Sequence, residues 1–208
     1  MGSHRSYQQY CGLARTLDLV GDRWSLLVVR ELLPGPRRYR DLAAALGGIA
    51  SNLLTDRLRR LEADGVLERR LATAGSVVYA LTPWGAQLRE PIEALVRWSE
   101  PIMATGLRDD DTFDPRWLAV ALPALLRRVR SSRPAEVGVE VRGSLLAVRV
   151  DHDGATVTVA PDDRPATVVV GEPDVILGLA AGALGVDHPG VTVHGDAREV
   201  LTVFPGAA

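Results

Sequence analysis

"GGIASNLLTDRLRRLEADGVLERR", residues 47–70, decides how the first half of this chain is read. The opening glycines make a tight turn, and a helix follows in which Leu54, Leu58 and Leu61, spaced +4 and +3, form one inward stripe. On that wheel Asn52, Asp56 and Arg59 point outward, with Thr55 on one flank and Leu53 and Arg60 on the other. Gly65 ends the helix. Asn52 is the single asparagine of the chain, and it stands beside Ser51 in the first turn.

Working upstream, "RRYRDLAAAL" supplies a short helix before the turn, so the order is helix, turn, helix. Before it, "PGP" at 34–36 stops a strongly apolar helix, "RWSLLVVRELL", whose run from Trp24 to Val29 belongs at the centre of a core. Asp22 is placed to cap that helix. A first helix, "CGLARTLDLVG", brings Leu13, Leu17 and Val20 to one face.

Downstream, "VLERRL", "ATAGS" and "VVYAL" have the alternation and turn chemistry of a two-stranded hairpin. A helix-turn-helix followed by a hairpin predicts a mostly α winged helix with a β-hairpin wing. The next segment, "TPWGAQLREPIEALVRWSEPIM", places Leu88, Ile92, Leu95, Trp98 and Ile102 at helical spacing, with Pro91 kinking or dividing it. Such an apolar face fits packing within its own domain or a dimer seam, and the seam is expected, formed by Leu13, Leu17, Ile92, Leu95, Trp98 and Ile102.

"TGLRDDDTFD", residues 105–114, is the candidate linker. Asp114 and Pro115 then make an N-cap and N1 pair for a helix carrying Leu118, Leu122 and Leu125. The runs "EVGVEV", "LLAVRV", "ATVTVA" and "ATVVV" read as strands, "EPDVILGLAAGAL" as a helix, "VTVHG" as a fifth strand and "DAREVLTVF" as a last helix. The expectation for this half is α+β, an antiparallel sheet of about five strands covered by helices. Two domains follow, 1–105 and 106–208.

Charge separates the halves. The formal net charge is −2, but residues 1–105 hold 14 Arg against 11 acids while residues 106–208 hold 10 Arg against 15 acids. All 24 basic residues are arginine, a bias that a GC-rich genome explains, although arginine is also the better ligand for phosphate and guanine. A single cysteine excludes an internal disulfide, and no apolar run approaches the roughly 20 residues of a membrane helix. No secretory signal pattern is present, so a cytosolic protein with no membrane partner is expected. "MGSH" reads as an expression remnant and is set aside.

The run from "YCGLARTLDLVGDRWSLLVVRELL" through "GPRRYRDLAAALGGIASNLLTDRLRRLEADGVLERR" to "YALTPWG" resembles the HxlR-type winged-helix transcriptional regulators, relatives of the MarR group. The resemblance covers nearly all of residues 7–104 and implies a dimeric bacterial regulator that reads a pseudo-palindromic operator in double-stranded DNA. The wing departs from the pattern: its tip, Ala72 to Ser76, has no arginine for the minor groove, which leaves Arg69 and Arg70 at its base as phosphate ligands. The second half is similar to sterol carrier protein type two domains in "ATVVVGEPDVILGLAAGAL" and "VTVHGDAREVLTVF". That similarity implies an apolar cavity for a hydrophobic small molecule.

The candidate DNA ligands are therefore Arg37, Arg38, Arg40, Ser51, Asn52, Thr55, Asp56, Arg59, Arg69 and Arg70. An Asn amide matches adenine N6 and N7, whereas Asn52 also suits a cap on its own helix. Arg59 shares its face and is assigned to phosphate or guanine. Asp56 repels phosphate unless it accepts from a cytosine or orients Arg59. Arg37, Arg38 and Arg40 serve equally as a phosphate clamp or a solvated charge run. The cavity is expected to be lined by Trp117, Leu118, Leu122, Val175, Leu179 and Leu184, residues that a packed core would use as well.

Cys11 lies where some HxlR-type regulators carry a redox-sensing thiol, but Gly12 follows it where the usual pattern has a proline. A buried, inert thiol is the expectation, with a thiol-sensing regulator as an alternative function. "DHDG" at 151–154 is far short of a calcium loop, and His152, His188 and His194 have no metal spacing. No phosphate-binding glycine loop, nucleophile elbow or paired cysteine motif is present, so neither an enzyme nor a cofactor is expected. The remaining alternative is a carrier of apolar molecules that uses its first half only to dimerise.

Overall fold

The computed structural model describes residues 6–72, 75–103, 106, 108 and 110–207. Two compact units divide at residue 92, earlier than the boundary at 105 expected from composition. The linker expected at 105–114 falls partly outside the described residues, as do Thr73 and Ala74 of the wing tip.

In the first unit, α1 (Gly12–Val20), α2 (Ser25–Leu32), α3 (Tyr39–Ala45) and α4 (Ser51–Ala63) precede the hairpin β1 (Leu67–Leu71) and β2 (Val77–Leu81). The inward stripe of α4 holds: Leu54, Leu58 and Leu61 are fully buried with Val28, Val29 and Leu42 from the neighbouring helices. At its end, the Val66 N–H donates to the Leu61 carbonyl at 2.9 Å and the Gly65 N–H to Glu62 at 3.1 Å. These two bonds satisfy the last-turn carbonyls and turn the chain directly into β1. Arg37 adds a third strand segment beside the hairpin, exchanging backbone bonds with Tyr79 at 3.0 and 2.8 Å.

After β2, Thr82 caps α5 (Pro83–Ala86) by accepting the Gly85 N–H at 3.0 Å, and its hydroxyl donates to the Gly65 carbonyl at 2.7 Å. Gly85 is required there, because a Cβ would overlap the Val66 carbonyl oxygen. The long helix expected over 84–104 is divided into α5, α6 (Arg89–Trp98) and α7 (Glu100–Met103). Pro91 lies in the first turn of α6, where its missing N–H costs no helical bond. The second division falls at Ser99, whose hydroxyl donates to the Val96 carbonyl at 2.8 Å.

Beyond α7, which already lies in the second unit, a 3-10 turn at Pro115–Trp117 is capped by Asp114 accepting the Arg116 N–H at 2.9 Å and continues as α8 (Leu118–Leu125). The strands are β3 (Ala135–Val141), β4 (Ser144–Val150), β5 (Ala155–Val159), β6 (Val168–Val170) and β7 (Thr192–His194), with α9 (Pro173–Ala180) before β7 and α10 (Ala197–Val203) after it. Val137 pairs with Val148 and Val139 with Leu146 across β3 and β4, and this buried face packs with Leu118, Leu122, Ile176, Leu179, Val200 and Phe204.

The strand order β5-β4-β3-β6-β7 corrects the expected antiparallel sheet, because β6 runs parallel to β3 and the sheet is mixed. Residues between β5 and β6 carry the chain from one edge back across the sheet. Gly138 in β3 lies against this return: a Cβ there would be 2.9 Å from Val168 Cγ2, 3.2 Å from Leu145 Cδ1 and 3.5 Å from Pro165 Cγ. Short turns between strands are visible in a sequence, whereas parallel pairing depends on a non-local return that leaves no turn signal.

Candidate nucleic-acid interface

The geometry of the helix-turn-helix is fixed by local bonds at the start of α4. The Tyr39 hydroxyl on α3 donates to the Ser51 carbonyl at 3.0 Å, and the Thr55 hydroxyl donates to the same oxygen at 2.8 Å. Thr55, a candidate DNA ligand, thus has its hydroxyl on its own helix. Asn52 is exposed, and its Oδ1 accepts the Leu53 N–H at 2.9 Å. One orphan donor of the helix terminus is satisfied in this way, while the amide NH2 carries the remaining donors of the side chain.

Arg59 is exposed one face-turn further on, and no carboxylate among the described residues pairs with it. Of the two roles open to Asp56, accepting from a cytosine or orienting Arg59, the second is not taken up: Asp56 accepts from Arg60 at 3.0 Å, an i,i+4 pair. That pairing removes the negative charge from beside Arg59, so the outer face of α4 offers a net cation.

The basic residues before α3 divide by role. Arg37 is half-buried and its guanidinium pairs with Glu31, a carboxylate only 1% exposed, which also takes Arg30 Nη2 at 2.7 Å. A candidate phosphate ligand or solvated charge by its sequence, Arg37 instead ties α2 to the strand segment beside the wing. Arg38 heads α3, where its N–H donates to the Asp41 carboxylate at 3.3 Å. Arg40 is exposed and 3.4 Å from Asp41. At the wing base, Arg69 meets Glu62 at 2.8 Å and Arg70 meets Glu68, so both are exposed guanidiniums already balanced by a neighbour.

The interaction that sequence reasoning missed is on the inner side of α4. Arg57 is 7% exposed and its guanidinium pairs with Asp22, the residue expected to cap α2. Burial, and then the neighbouring Arg60, pull its pKa below the usual guanidinium value. Among the described residues its Nε has no partner. Helical spacing contained the signal, since Arg57 is three residues from Leu54 and four from Leu61, on the flank of the buried stripe.

The expected dimer residues separate into exposed and buried. Leu13 and Leu17 on α1 are exposed, and so are Leu95, Trp98 and Ile102 on α6 and α7, with Trp98 at 73%. Ile92 is buried at 6%, which corrects its placement on an open face. Cys11 is corrected as well. It is exposed at the N-cap of α1, where the backbone N–H groups of Ala14 and then Leu13 lower the thiol pKa.

In the second unit, Leu118, Leu122 and Leu179 of the expected cavity wall are fully buried core residues. Trp117 meets Phe113 edge to face at 6.0 Å. Val175 and Leu184 are half-buried and pack onto glycines: Leu184 Cδ1 would be 2.7 Å from a Cβ on Gly178, and Val175 Cγ2 3.0 Å from one on Gly190. The 151–153 turn gathers Asp151, His152 and Asp153 within 4.8 Å, but the Asp151 carboxylate accepts from its own turn at Asp153 N.

Comparison with known proteins bears on the first unit. Residues 19–106 match the HxlR-like helix-turn-helix family. An Escherichia coli protein, the uncharacterized HTH-type transcriptional regulator YtfH, is 34% identical over 96 residues, which is 45% of this chain and 76% of that protein. The chain belongs to the HxlR-like helix-turn-helix family. Its helix-turn-helix followed by the β1–β2 hairpin is the winged-helix arrangement, and the relatives it matches are named as transcriptional regulators. A Synechocystis regulator, sll1512, is 37% identical over 87 residues, 41% of this chain and 64% of that protein. The crystal structure of quinone-bound YodB from B. subtilis is similar at 26% identity and a TM-score of 0.39, covering 43% of this chain and 96% of that one. Family membership rests on residues 19–106, so the five-stranded sheet lies outside the match. Among the described residues no helix is long and apolar enough to cross a membrane.

Proposed function

We propose that the chain is a ligand-responsive transcriptional regulator that binds a pseudo-palindromic operator as a homodimer. The observation that carries this reading is the outer face of α4, where Asn52 and Arg59 stand exposed opposite a fully buried leucine stripe. A helix docked in the major groove presents its N-terminal residues to base edges, and its arginines to guanine or phosphate. Arg38, Arg40, Arg69 and Arg70 serve as flanking phosphate contacts, while Arg37 positions the wing through Glu31. Residues 1–105 would bind DNA and dimerise, and residues 106–208 would sense a hydrophobic small molecule.

The exposed Leu13 and Leu17 of α1 and the exposed Leu95, Trp98 and Ile102 support dimerisation, because each such residue left in water forfeits apolar burial. The ligand reading rests on the sterol-carrier-like pattern of the second half and on the half-buried Val175 and Leu184. The mechanism is a population shift: ligand favours a dimer whose recognition helices no longer match half-sites about 34 Å apart.

The test is a gel shift with the chain's own upstream intergenic DNA, repeated with apolar compounds selected by thermal shift. A ligand at about 100 times its dissociation constant stabilises the protein by about 2.7 kcal/mol and must change operator affinity reciprocally. Compounds that raise the melting temperature without altering operator binding would reduce the second half to a carrier. Absence of any DNA complex would remove the regulator reading.

A second reading is carried by Cys11, whose exposure and lowered pKa are properties of a reactive thiol. On that reading oxidation of Cys11 changes operator affinity. Gel shifts with oxidised wild type and with Cys11→Ser separate it from ligand control.

A further inference from the structure

The second unit is acidic as a whole, yet its charge is segregated. Between Asp114 and Glu136 the chain has Arg116, Arg127, Arg128, Arg130 and Arg133 and not one acid, whereas the rest of residues 106–208 holds 5 Arg against 15 acids. Four of these arginines occupy the seven-residue segment that leaves the C-terminal end of α8. The segment is held in place by its own bonds. Arg130 Nη1 donates to the Arg127 and Val129 carbonyls at 2.9 and 2.7 Å, and the Ser131 hydroxyl to the Arg133 carbonyl at 2.6 Å. The Ser131 N–H donates to the Asp151 carbonyl at 3.0 Å, and the Arg130 guanidinium lies over Gly154. Arg130 is thus the lock of the loop.

Arg127, Arg128 and Arg133 are exposed and no carboxylate among the described residues pairs with them. In the neighbouring turn, Asp151 accepts from Asp153 N at 2.9 Å and lies 3.6 Å from Arg149 Nε, so its charge is already used. Other arginines of the same unit have a carboxylate nearby, as Arg142 has Glu172 at 3.6 Å and Arg164 has Glu140 at 2.8 Å. An ordered cluster of like charges without counter-charges repels itself, and a polyanion relieves that repulsion.

We infer that Arg127, Arg128 and Arg133 form a second docking surface whose occupant is the phosphate backbone of DNA. The choice of occupant rests on the proposed DNA-binding function: DNA is the polyanion that the first unit would bring to the molecule, and the guanidinium fork matches phosphate oxygens. This surface adds sequence-independent affinity and reads no bases.

The test uses the full chain and a long random-sequence duplex, with binding followed by fluorescence anisotropy across a salt series. The triple variant Arg127→Gln, Arg128→Gln, Arg133→Gln is compared with Arg142→Gln, Arg149→Gln, Arg198→Gln, which removes the same charge from the same unit elsewhere. Thermal melts establish that both variants are folded. The expected result is a salt slope reduced, in the first variant only, by roughly 0.9 for each phosphate that is no longer neutralised. Equal slopes and affinities for the two variants overturn the inference while leaving the proposed regulator intact. A wild-type protein that binds no duplex overturns both.

Discussion

Asp22 and Arg57, 35 residues apart, form an ion pair that joins the turn after α1 to the inner face of α4. Through this pair the helix that presents Asn52 and Arg59 is tied to a residue outside the helix-turn-helix. The two partners are unequal in environment, since the Arg57 side chain is 8% exposed and that of Asp22 is 52% exposed.

That asymmetry makes Asp22→Ala the costlier change. It leaves a buried guanidinium without its carboxylate, and breaking a fully buried pair costs roughly 3–5 kcal/mol. Half exposure of Asp22 reduces this to about 2 kcal/mol through solvent screening. Arg57→Met replaces the cation with an apolar chain and leaves Asp22 in water, at a cost below about 1 kcal/mol. Urea denaturation of the two variants and of the double variant checks the order. An Asp22→Ala protein as stable as wild type would show that the pair is dispensable.

Asn52 has an Oδ1 bonded to its own helix and an amide NH2 directed by that bond. Asn52→Ala is expected to lose about 1–3 kcal/mol at the operator and little on random DNA. Asn52→Asp keeps the capping oxygen and removes the donor, so it should bind operator as poorly as the alanine variant while melting at the wild-type temperature. Equal losses of Asn52→Ala on both DNAs, with a lowered melting temperature, would mark a cap and nothing more.

Arg59, unlike Arg69 and Arg70, pairs with no carboxylate among the described residues that it would have to give up on binding. Arg59→Ala should therefore reduce the salt slope of operator binding by roughly 0.9 per protomer if it meets phosphate. A larger effect on operator than on random DNA would place it on a base. Unchanged affinity on both DNAs removes it from the interface.

Trp98 is among the most exposed large apolar residues of the chain. Trp98→Glu should shift the protein from dimer to monomer in analytical ultracentrifugation, and Leu13→Glu should act in the same direction. Wild-type protein sedimenting as a monomer at high concentration would remove the dimer.

Cys11 gives a pH-dependent outcome. Backbone N–H groups of Ala14 and Leu13 stabilise the thiolate, so the folded pKa lies below the ordinary thiol value. The thiolate fraction, and with it the rate of alkylation by iodoacetamide, should rise to its plateau at lower pH in the folded protein than in urea. Coincident pH profiles would mean that the helix terminus does not activate the thiol.

Periodicity and turn chemistry were enough to determine the helix-turn-helix, the hairpin, the outward set Asn52, Asp56 and Arg59, and the number of strands in the second half. Those features depend on residues within a few positions of one another, and 3.6 and 2 are periods that a one-dimensional string displays. Tertiary structure decided what long-range packing controls. It turned Asp22 from a cap into the partner of Arg57, turned Arg37 onto the buried Glu31, and exposed Cys11. It also placed β6 parallel to β3 over Gly138. The Asp22–Arg57 pair and the β3–β6 pairing join groups far apart in sequence, and even Glu31 and Arg37 meet across the turn between α2 and α3, so the partner of a charged side chain is set in space and not by local pattern.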